Sequence, residues 1–371
     1  MAGARVYSTD DARRLARRRL PKLVFDYIDG AAGDESGAGR NRSDLSAVKL
    51  MPRALRANPK RSLATTFLGR EFGMPFGVAP MGLCNLARPG ADQMISEVTG
   101  EFNAPHCLSA AASSTLEDVH GWAGDRAWFQ LYISANVEQS LAMVERARQA
   151  NYDVLVFTVD VPEVARRRRD MRNGFKVPFR IGPQQFLDFA LKPAWSLPML
   201  FNGPPSPRNF EVEGGTFDRL ATRAWPDWGF LDLLREKWPG KLIVKGVLNP
   251  EDALRVQKSG ADAVWVSNHG GRQLESAPST ISMLPIIREK IGPDFPLIVD
   301  SGLRSGEDIA RVLASGADFA MMGRPMLYAV AGAGKQGLRE YFELISSELD
   351  VVMAQLGVED IEGLQKEVEV R

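Results

Sequence analysis

The densest chemistry in this chain lies in nine consecutive residues, Ser267-Asn268-His269-Gly270-Gly271-Arg272-Gln273-Leu274-Glu275. They follow Asp262–Val266, a short apolar run that reads as a buried strand. An imidazole at a strand end, two glycines and then a guanidinium make a turn that can face one small anion. The His would serve as base and the Arg as clamp. The glycine pair lets the backbone bend sharply or approach a ligand closely. A solvated His on a surface turn is the plainer reading of these nine residues taken alone, so the surrounding elements must decide.

Those elements form a rhythm. Candidate strands are Phe76–Pro80, His106–Ala110, Ala127–Tyr132, Val154–Val159, Leu242–Lys245, Ala263–Ser267, Leu297–Asp300 and Phe319–Met322, each followed by a helical pattern. Eight such alternations predict a closed (β/α)8 TIM barrel over about 76–335, with an open doubly wound sheet as the rival. An internal echo supports the barrel. Glu251–Asp262 and Glu307–Asp318 agree at eight of twelve positions, 56 residues apart, an offset of two strand–helix units. Helices precede the barrel: Ser8–Asp11 starts one that carries Arg13, Arg14, Arg17, Arg18 and Arg19, read as a solvated face, and Lys22–Ile28 forms a second. After the fourth strand comes a long insertion, about 173–232, read as part of one domain spanning 1–371. Its apolar, Trp-bearing middle, Phe186–Pro207, is expected to be broken into short pieces by Pro193 and Pro198. A lid, an oligomer contact, a membrane contact or a loop packed on its own barrel all fit such a segment. The preceding run Arg166–Arg169 would suit an anionic surface.

Barrels place their chemistry at the C-terminal ends of the strands. Read in turn, those ends offer Pro80, Met81 and Gly82; Ser109 and Ala111; Gln130 and Tyr132; Thr158, Asp160 and Arg167; Lys245; Ser267 and His269; Asp300, Gly302 and Arg304; and Gly323 with Arg324. Lys245 lies in an otherwise apolar strand, where an ammonium needs an anionic or electron-rich partner. The glycine-rich ends of the last two strands suit a phosphate, held by helix N-terminal amides and a cation. Of three histidines, His106, His120 and His269, only His269 stands at a strand's C-terminal end, with Asp160 as its plausible carboxylate partner.

Composition narrows the class. The formal net charge is zero, so nothing global argues for nucleic acid. Two cysteines make no disulfide scaffold, and no spacing suggests a metal site. No apolar run is long enough to span a bilayer, and no signal peptide is expected.

Taken together, Ser267–Gln273, Leu20–Tyr27, Phe129–Tyr132, Thr158–Asp160, Val244–Gly246, Asp300–Gly302 and Gly323-Arg324 resemble, in order, the FMN-dependent α-hydroxy acid oxidases and dehydrogenases. The resemblance covers about residues 6–365. It implies FMN as cofactor and oxidation of an (S)-2-hydroxy acid to the 2-oxo acid. It makes His269 the base, Asp160 its partner, Arg272 and Arg167 the carboxylate clamps, and Tyr27 and Tyr132 contacts to carboxylate and hydroxyl. Lys245 would stand beside the flavin's N1 and O2 edge, with Ser109, Gln130, Thr158, Ser267 and the Pro80–Gly82 backbone around the ring. Asp300, Gly302, Arg304, Gly323 and Arg324 would hold ribityl and phosphate groups.

This sequence departs from the family pattern at several positions. Met81 replaces a common Thr, Glu275 a frequent Asp with minor effect expected, and Gly174 stands where a cation is common. Gly82 and Ala111 stand where other members carry alanine and tryptophan, and Val164 is placed in the same region. Their small size favours a mandelate-like aryl acid, with lactate next. Lys192–Leu197 is similar to a run in the insertion that anchors membrane-bound members. The resemblance therefore implies peripheral attachment at about 186–207 on the inner face of the cell membrane, a quinone acceptor and a homotetramer. A soluble oxidase using oxygen, a non-redox FMN-barrel isomerase and a non-catalytic flavoprotein are the alternatives.

Overall fold

A computed structural model describes residues 5–134, 136–175, 182–210 and 224–371. Parts of the expected insertion, 176–181 and 211–223, lie outside the described residues. Eight strands, β3 (Phe76–Val78), β4 (His106–Ser109), β5 (Ala127–Leu131), β6 (Val154–Thr158), β7 (Lys241–Val247), β8 (Ala263–Val266), β9 (Leu297–Val299) and β10 (Phe319–Met322), close into a parallel barrel in sequence order. The ring shuts where β10 pairs with β3, Ala320 opposite Phe76. This is the (β/α)8 barrel expected from the sequence, with each strand end placed within a few residues.

The strands read as near-continuous apolar runs because helices cover their outer face while side chains fill the inside. Period-two alternation sorts the two faces. Trp128, Val156, Ile243, Trp265, Ile298 and Phe319 pack into the barrel, whereas Phe129, Leu155, Val244 and Val264 join the outer core beneath the helices. Two short strands absent from the sequence reading, β1 (Thr65–Phe67) and β2 (Arg70–Phe72), form an antiparallel hairpin. Its Phe67 and Phe72 cap the barrel floor, with ring centroids 5.1 Å and 5.5 Å from Phe319. The repeat noted above has a structural use. Asp262 and Asp318 each accept the backbone N–H that opens a neighbouring strand, Leu242 at 2.9 Å and Leu297 at 2.7 Å, and each pairs with an arginine, Arg235 or Arg288.

The N-terminal helix Thr9–Arg19 is capped by the Ser8 side chain, which accepts from the Asp11 amide. Its arginines are not a uniformly solvated face. Arg13 pairs with Asp29 at 2.6 Å, Arg14 with Asp11, and Arg19 donates to the Ala194 carbonyl at 2.6 Å, leaving Arg17 and Arg18 in water.

The insertion bears out one expectation and corrects another. The helix Pro183–Ala190 ends before Pro193, which starts the next, Pro193–Asn202, at a position where no intrahelical N–H is needed. Pro198 does not break the segment further but lies inside that second helix. One face is fixed to the barrel: Trp195 is buried and its indole N–H donates to the Leu86 carbonyl at 2.8 Å, with Met199 beneath it. The remainder, with the preceding helix Pro183–Ala190, presents Phe186, Leu187, Leu191, Leu200 and Phe201 to solvent, the last at 85% exposure. Five large apolar side chains exposed along one pair of short helices are unusual on a soluble monomer. No helix among the described residues is long and apolar enough to cross a membrane.

Candidate active site

The inward positions change character at the C-terminal end of the barrel. Ser109, Gln130, Thr158, Lys245, Ser267 and Asp300 all lie there, and all are buried. Burial of so many polar groups is costly unless they are paired. Most are. Lys245 Nζ donates to Ser267 Oγ at 2.9 Å and lies 3.3 Å from Asp300, while Ser267 Oγ donates to Asp300 at 2.6 Å. Burial opposes the Lys245 charge, but Asp300 and Asp160 outweigh it and raise the pKa, so the ammonium stays charged. Ser109 Oγ donates to Gln130 Oε1 at 3.0 Å.

Two atoms of this layer stay unpaired: Gln130 Nε2, a donor, and Thr158 Oγ1. Orphaned buried polar atoms mark a place where a ligand completes the network. Together with the Lys245 charge they suit the heteroatom edge of a flavin ring. The phosphate end fits as well. The helix Arg324–Leu356 begins at Gly323 with no side chain capping its first amides, and Gly302 and Arg304 line the same cavity. Arg324 differs from a simple phosphate cation. Its guanidinium donates to the carbonyls of Ile28, Gly270 and Gly30 at 3.3, 2.8 and 2.9 Å, so one N–H on each terminal nitrogen and the backbone amide remain for an anion.

Above this layer stands the His269 turn. His269 Nδ1 lies 3.0 and 3.2 Å from the two oxygens of Asp160. Nδ1–H donation to that carboxylate leaves the Nε2 lone pair available as a base. Burial lowers the His269 pKa below its ordinary 6.5, with Asp160 acting against that shift, so the ring is neutral near pH 7. For Asp160, burial works upward, but His269 and Lys245 prevail and the carboxylate stays ionised. The backbone supports this placement. His269, Gly270 and Gly271 are consecutive left-handed residues, φ 58°, 68° and 73°. A β-carbon at Gly270 would lie 2.7 Å from the Arg324 guanidinium, and one at Gly271 2.6 Å from the Ala38 amide. A non-glycine residue held left-handed, as His269 is, stores strain that surrounding contacts must sustain. Here the His269 amide donates to Ser267 Oγ, and Asn268 exchanges two hydrogen bonds with Asn41 at 2.8 and 2.7 Å. The sequence reading left Asn41 unremarked; its partner lies 227 residues away.

Cations converge on the cavity. Arg272 Nη1 donates to the carbonyls of Tyr27 and Gly30 at 2.8 and 2.7 Å and its head lies over the Tyr27 ring, leaving its other nitrogens for a carboxylate. Arg167 is buried at the cavity wall with Tyr132. Elsewhere in the Arg166–Arg169 run, Arg169 pairs with Asp29 and Glu35 and Arg168 with Asp34, while Arg166 and Arg168 are exposed. Phe175 stacks on Tyr27 at 4.2 Å and 6°, a contact missed in the sequence. Glu275 also carries more than expected. Its carboxylate accepts from the amides of Asp34 and Ser36 at 2.7 and 3.2 Å, tying the glycine-rich N-terminal loop to the His269 turn.

The remaining wall is apolar. Gly82 and Ala111 face each other so closely that a β-carbon on Gly82 would lie 3.3 Å from that of Ala111. Met81, Leu83 and Pro207 complete this side, whereas Val164 is not among the cavity-lining residues.

Comparison with known proteins agrees with this geometry. Residues 16–371 match the family described as FMN-dependent dehydrogenase. The (S)-mandelate dehydrogenase of Pseudomonas putida is 36% identical over 367 residues, covering 97% of this chain and 92% of that protein. An L-lactate dehydrogenase of Pseudomonas syringae pv. syringae (strain B728a) is 34% identical over 376 residues, covering 99% of each. Among solved structures, the monotopic membrane protein (S)-mandelate dehydrogenase superposes with a TM-score of 0.94 at 36% identity, covering 98% of this chain and 99% of that one. A mandelate oxidase gives 0.86 at 32% identity, covering 99% of each.

Proposed function

The chain belongs to the FMN-dependent dehydrogenase family, and from that premise we propose that it oxidises an (S)-2-hydroxy acid to the 2-oxo acid, mandelate-like acids ahead of lactate. The observation that carries the reading is the neutral His269, oriented by Asp160, above a polar layer with two unpaired atoms and between Arg272 and Arg167. When bound, FMN accepts the two electrons released as the α-carbon becomes a carbonyl carbon. Ser109, Gln130, Thr158, Ser267, Lys245 and the Pro80–Gly82 backbone would hold its ring, and Asp300, Gly302, Arg304, Gly323 and Arg324 its ribityl and phosphate groups.

The chain's own residues do the rest. Arg272 and Arg167 clamp the substrate carboxylate, guanidinium being suited to bidentate contact. Tyr27 and Tyr132 meet the carboxylate and hydroxyl and fix which face of the α-carbon is presented. His269 Nε2 takes a proton from the substrate, and Asp160 stabilises the imidazolium that results. Gly82 and Ala111 line the apolar side of the cavity, where small side chains favour an aryl substituent more than a bulkier wall would.

The exposed apolar side chains of the two insertion helices support peripheral membrane attachment; the family resemblance adds the cytoplasmic side and a quinone as electron acceptor. In this reading residues 1–371 act as one catalytic unit within a homotetramer. Anaerobic mixing of the holoprotein with glycolate, lactate, 2-hydroxyoctanoate and mandelate tests the chemistry. Mandelate is expected to bleach the flavin fastest, and bleaching by none of the four would overturn the proposal. Rapid peroxide release under air, with no gain from an added quinone, would instead identify an oxidase. Flotation with anionic vesicles tests attachment: the protein should float, and the Leu200→Glu/Phe201→Glu variant should stay below. Equal flotation of both would remove the anchor.

A further inference from the structure

The insertion is fastened to the barrel at a second place, beyond Trp195, and this fastening reaches the substrate cavity. After the helix Pro193–Asn202 the chain returns through Pro207–Phe210. Pro207 is buried and lines the apolar side of the cavity beside Leu83 and Ala111. Two residues on, Asn209 is buried at 5% exposure, and both ends of its amide are used. Oδ1 accepts from the Leu116 amide at 2.9 Å and Nδ2 donates to the Ser114 carbonyl at 3.1 Å. The Arg208 amide donates to the Ala112 carbonyl at 3.1 Å. Two of these contacts fall on the loop that carries Ala111, between β4 and the helix Leu116–Ala123, and the third on the first residue of that helix. That loop is fixed in turn to the one carrying Gly82 and Leu83, because the Leu83 amide donates to the Ala111 carbonyl at 3.0 Å and the Asn85 amide to Ser113 Oγ at 3.3 Å.

We propose that Asn209 is a positioning residue for substrate selectivity: by gripping the Ala111 loop it sets Pro207 as the outer wall of the subsite for the acid's side chain. The insertion thereby does two jobs, presenting an apolar face outward and closing the apolar half of the cavity inward. A buried side-chain amide bonded at both ends is costly to truncate, because two backbone groups lose their partner. A wall held this way discriminates by shape, as a rigid apolar pocket does, and acts on a phenyl group far more than on a methyl group.

This inference rests on the proposed 2-hydroxy acid chemistry, and its test separates the two. Phenylacetate and propionate carry the carboxylate and side chain but no α-hydroxyl, so they bind without reacting. Their dissociation constants are read from the flavin absorbance change in the holoprotein, and kcat/KM is measured for mandelate and lactate alongside. In Asn209→Ala the preference for phenylacetate over propionate, and for mandelate over lactate, should fall about tenfold. Asn209→Asp keeps the acceptor for Leu116 but loses the donor to Ser114, and should fall between. Pro207→Gly removes no hydrogen bond, so it reports even where Asn209→Ala fails to fold, and it should lower the same two ratios. Unchanged ratios in Pro207→Gly, or equal losses for large and small acids in the Asn209 variants, would overturn the assignment. Failure of the wild-type flavin to bleach would count against the oxidation chemistry alone, since the two non-reacting acids still measure the wall.

Discussion

At the floor of the barrel the inward Trp128 and Phe319 pack ring on ring with Phe67 and Phe72 of the hairpin, while at the mouth the inward positions carry Gln130, Thr158, Lys245, Ser267 and Asp300. The strands are shared, so β5 alone supplies both Trp128 and Gln130. What differs is what each end leaves for a ligand. Around the floor the nearby charges find partners within the chain, Arg235 with Asp262 and Arg70 with Asp153. The mouth keeps two polar atoms unpaired, a base in strained backbone and an apolar wall open to a guest. One end contributes stability and the other withholds some of it for use, the division expected of such barrels.

Substitutions at the two ends should therefore fail in different ways. The largest effect is expected at the mouth. His269→Gln should lower the rate of anaerobic flavin reduction by about 100- to 10,000-fold, the usual worth of a general base, with the flavin still bound. The wild-type rate should climb as pH rises through the depressed His269 pKa, below 6.5, because only the neutral ring accepts a proton; it should then level off. The variant should lack that climb, and a variant that keeps both the rate and the climb would remove His269 from its role. Smaller, and of the opposite kind, is the floor. Phe67→Ala empties a buried aromatic site and should cost about 3–5 kcal/mol of stability, read as a lower unfolding midpoint, while flavin reduction stays within twofold. If that variant lost reduction but not stability, the separation of the two ends would not hold.

The mouth was more legible than the floor. Its residues stand at strand ends in an alternation that one sequence displays, and Lys245 signalled a buried partner because no apolar strand keeps an ammonium without one. The hairpin escaped because strands of three residues are too short for periodicity to register. Pro198 misled for a local reason: proline removes an N–H from a helix, and packing through Trp195 and Met199 outweighed that loss. The tie made by Glu275 and the roles of Asn41 and Asn209 escaped for another reason. Each acts on backbone or side chain more than 90 residues away, and nothing within a local window announces such a partner.

The barrel above the hairpin is filled by its own side chains, so the cavity at the mouth is a cup whose bottom is Lys245, Asp300 and Met321. Whatever rests deepest in it has to be loaded first and leaves last. The polar layer lies below the His269 turn, and the cofactor it suits therefore has to be seated before any acid can be gripped above it. Empty protein would take up acids poorly however intact its clamps, and a turnover would drain the cup only from the top.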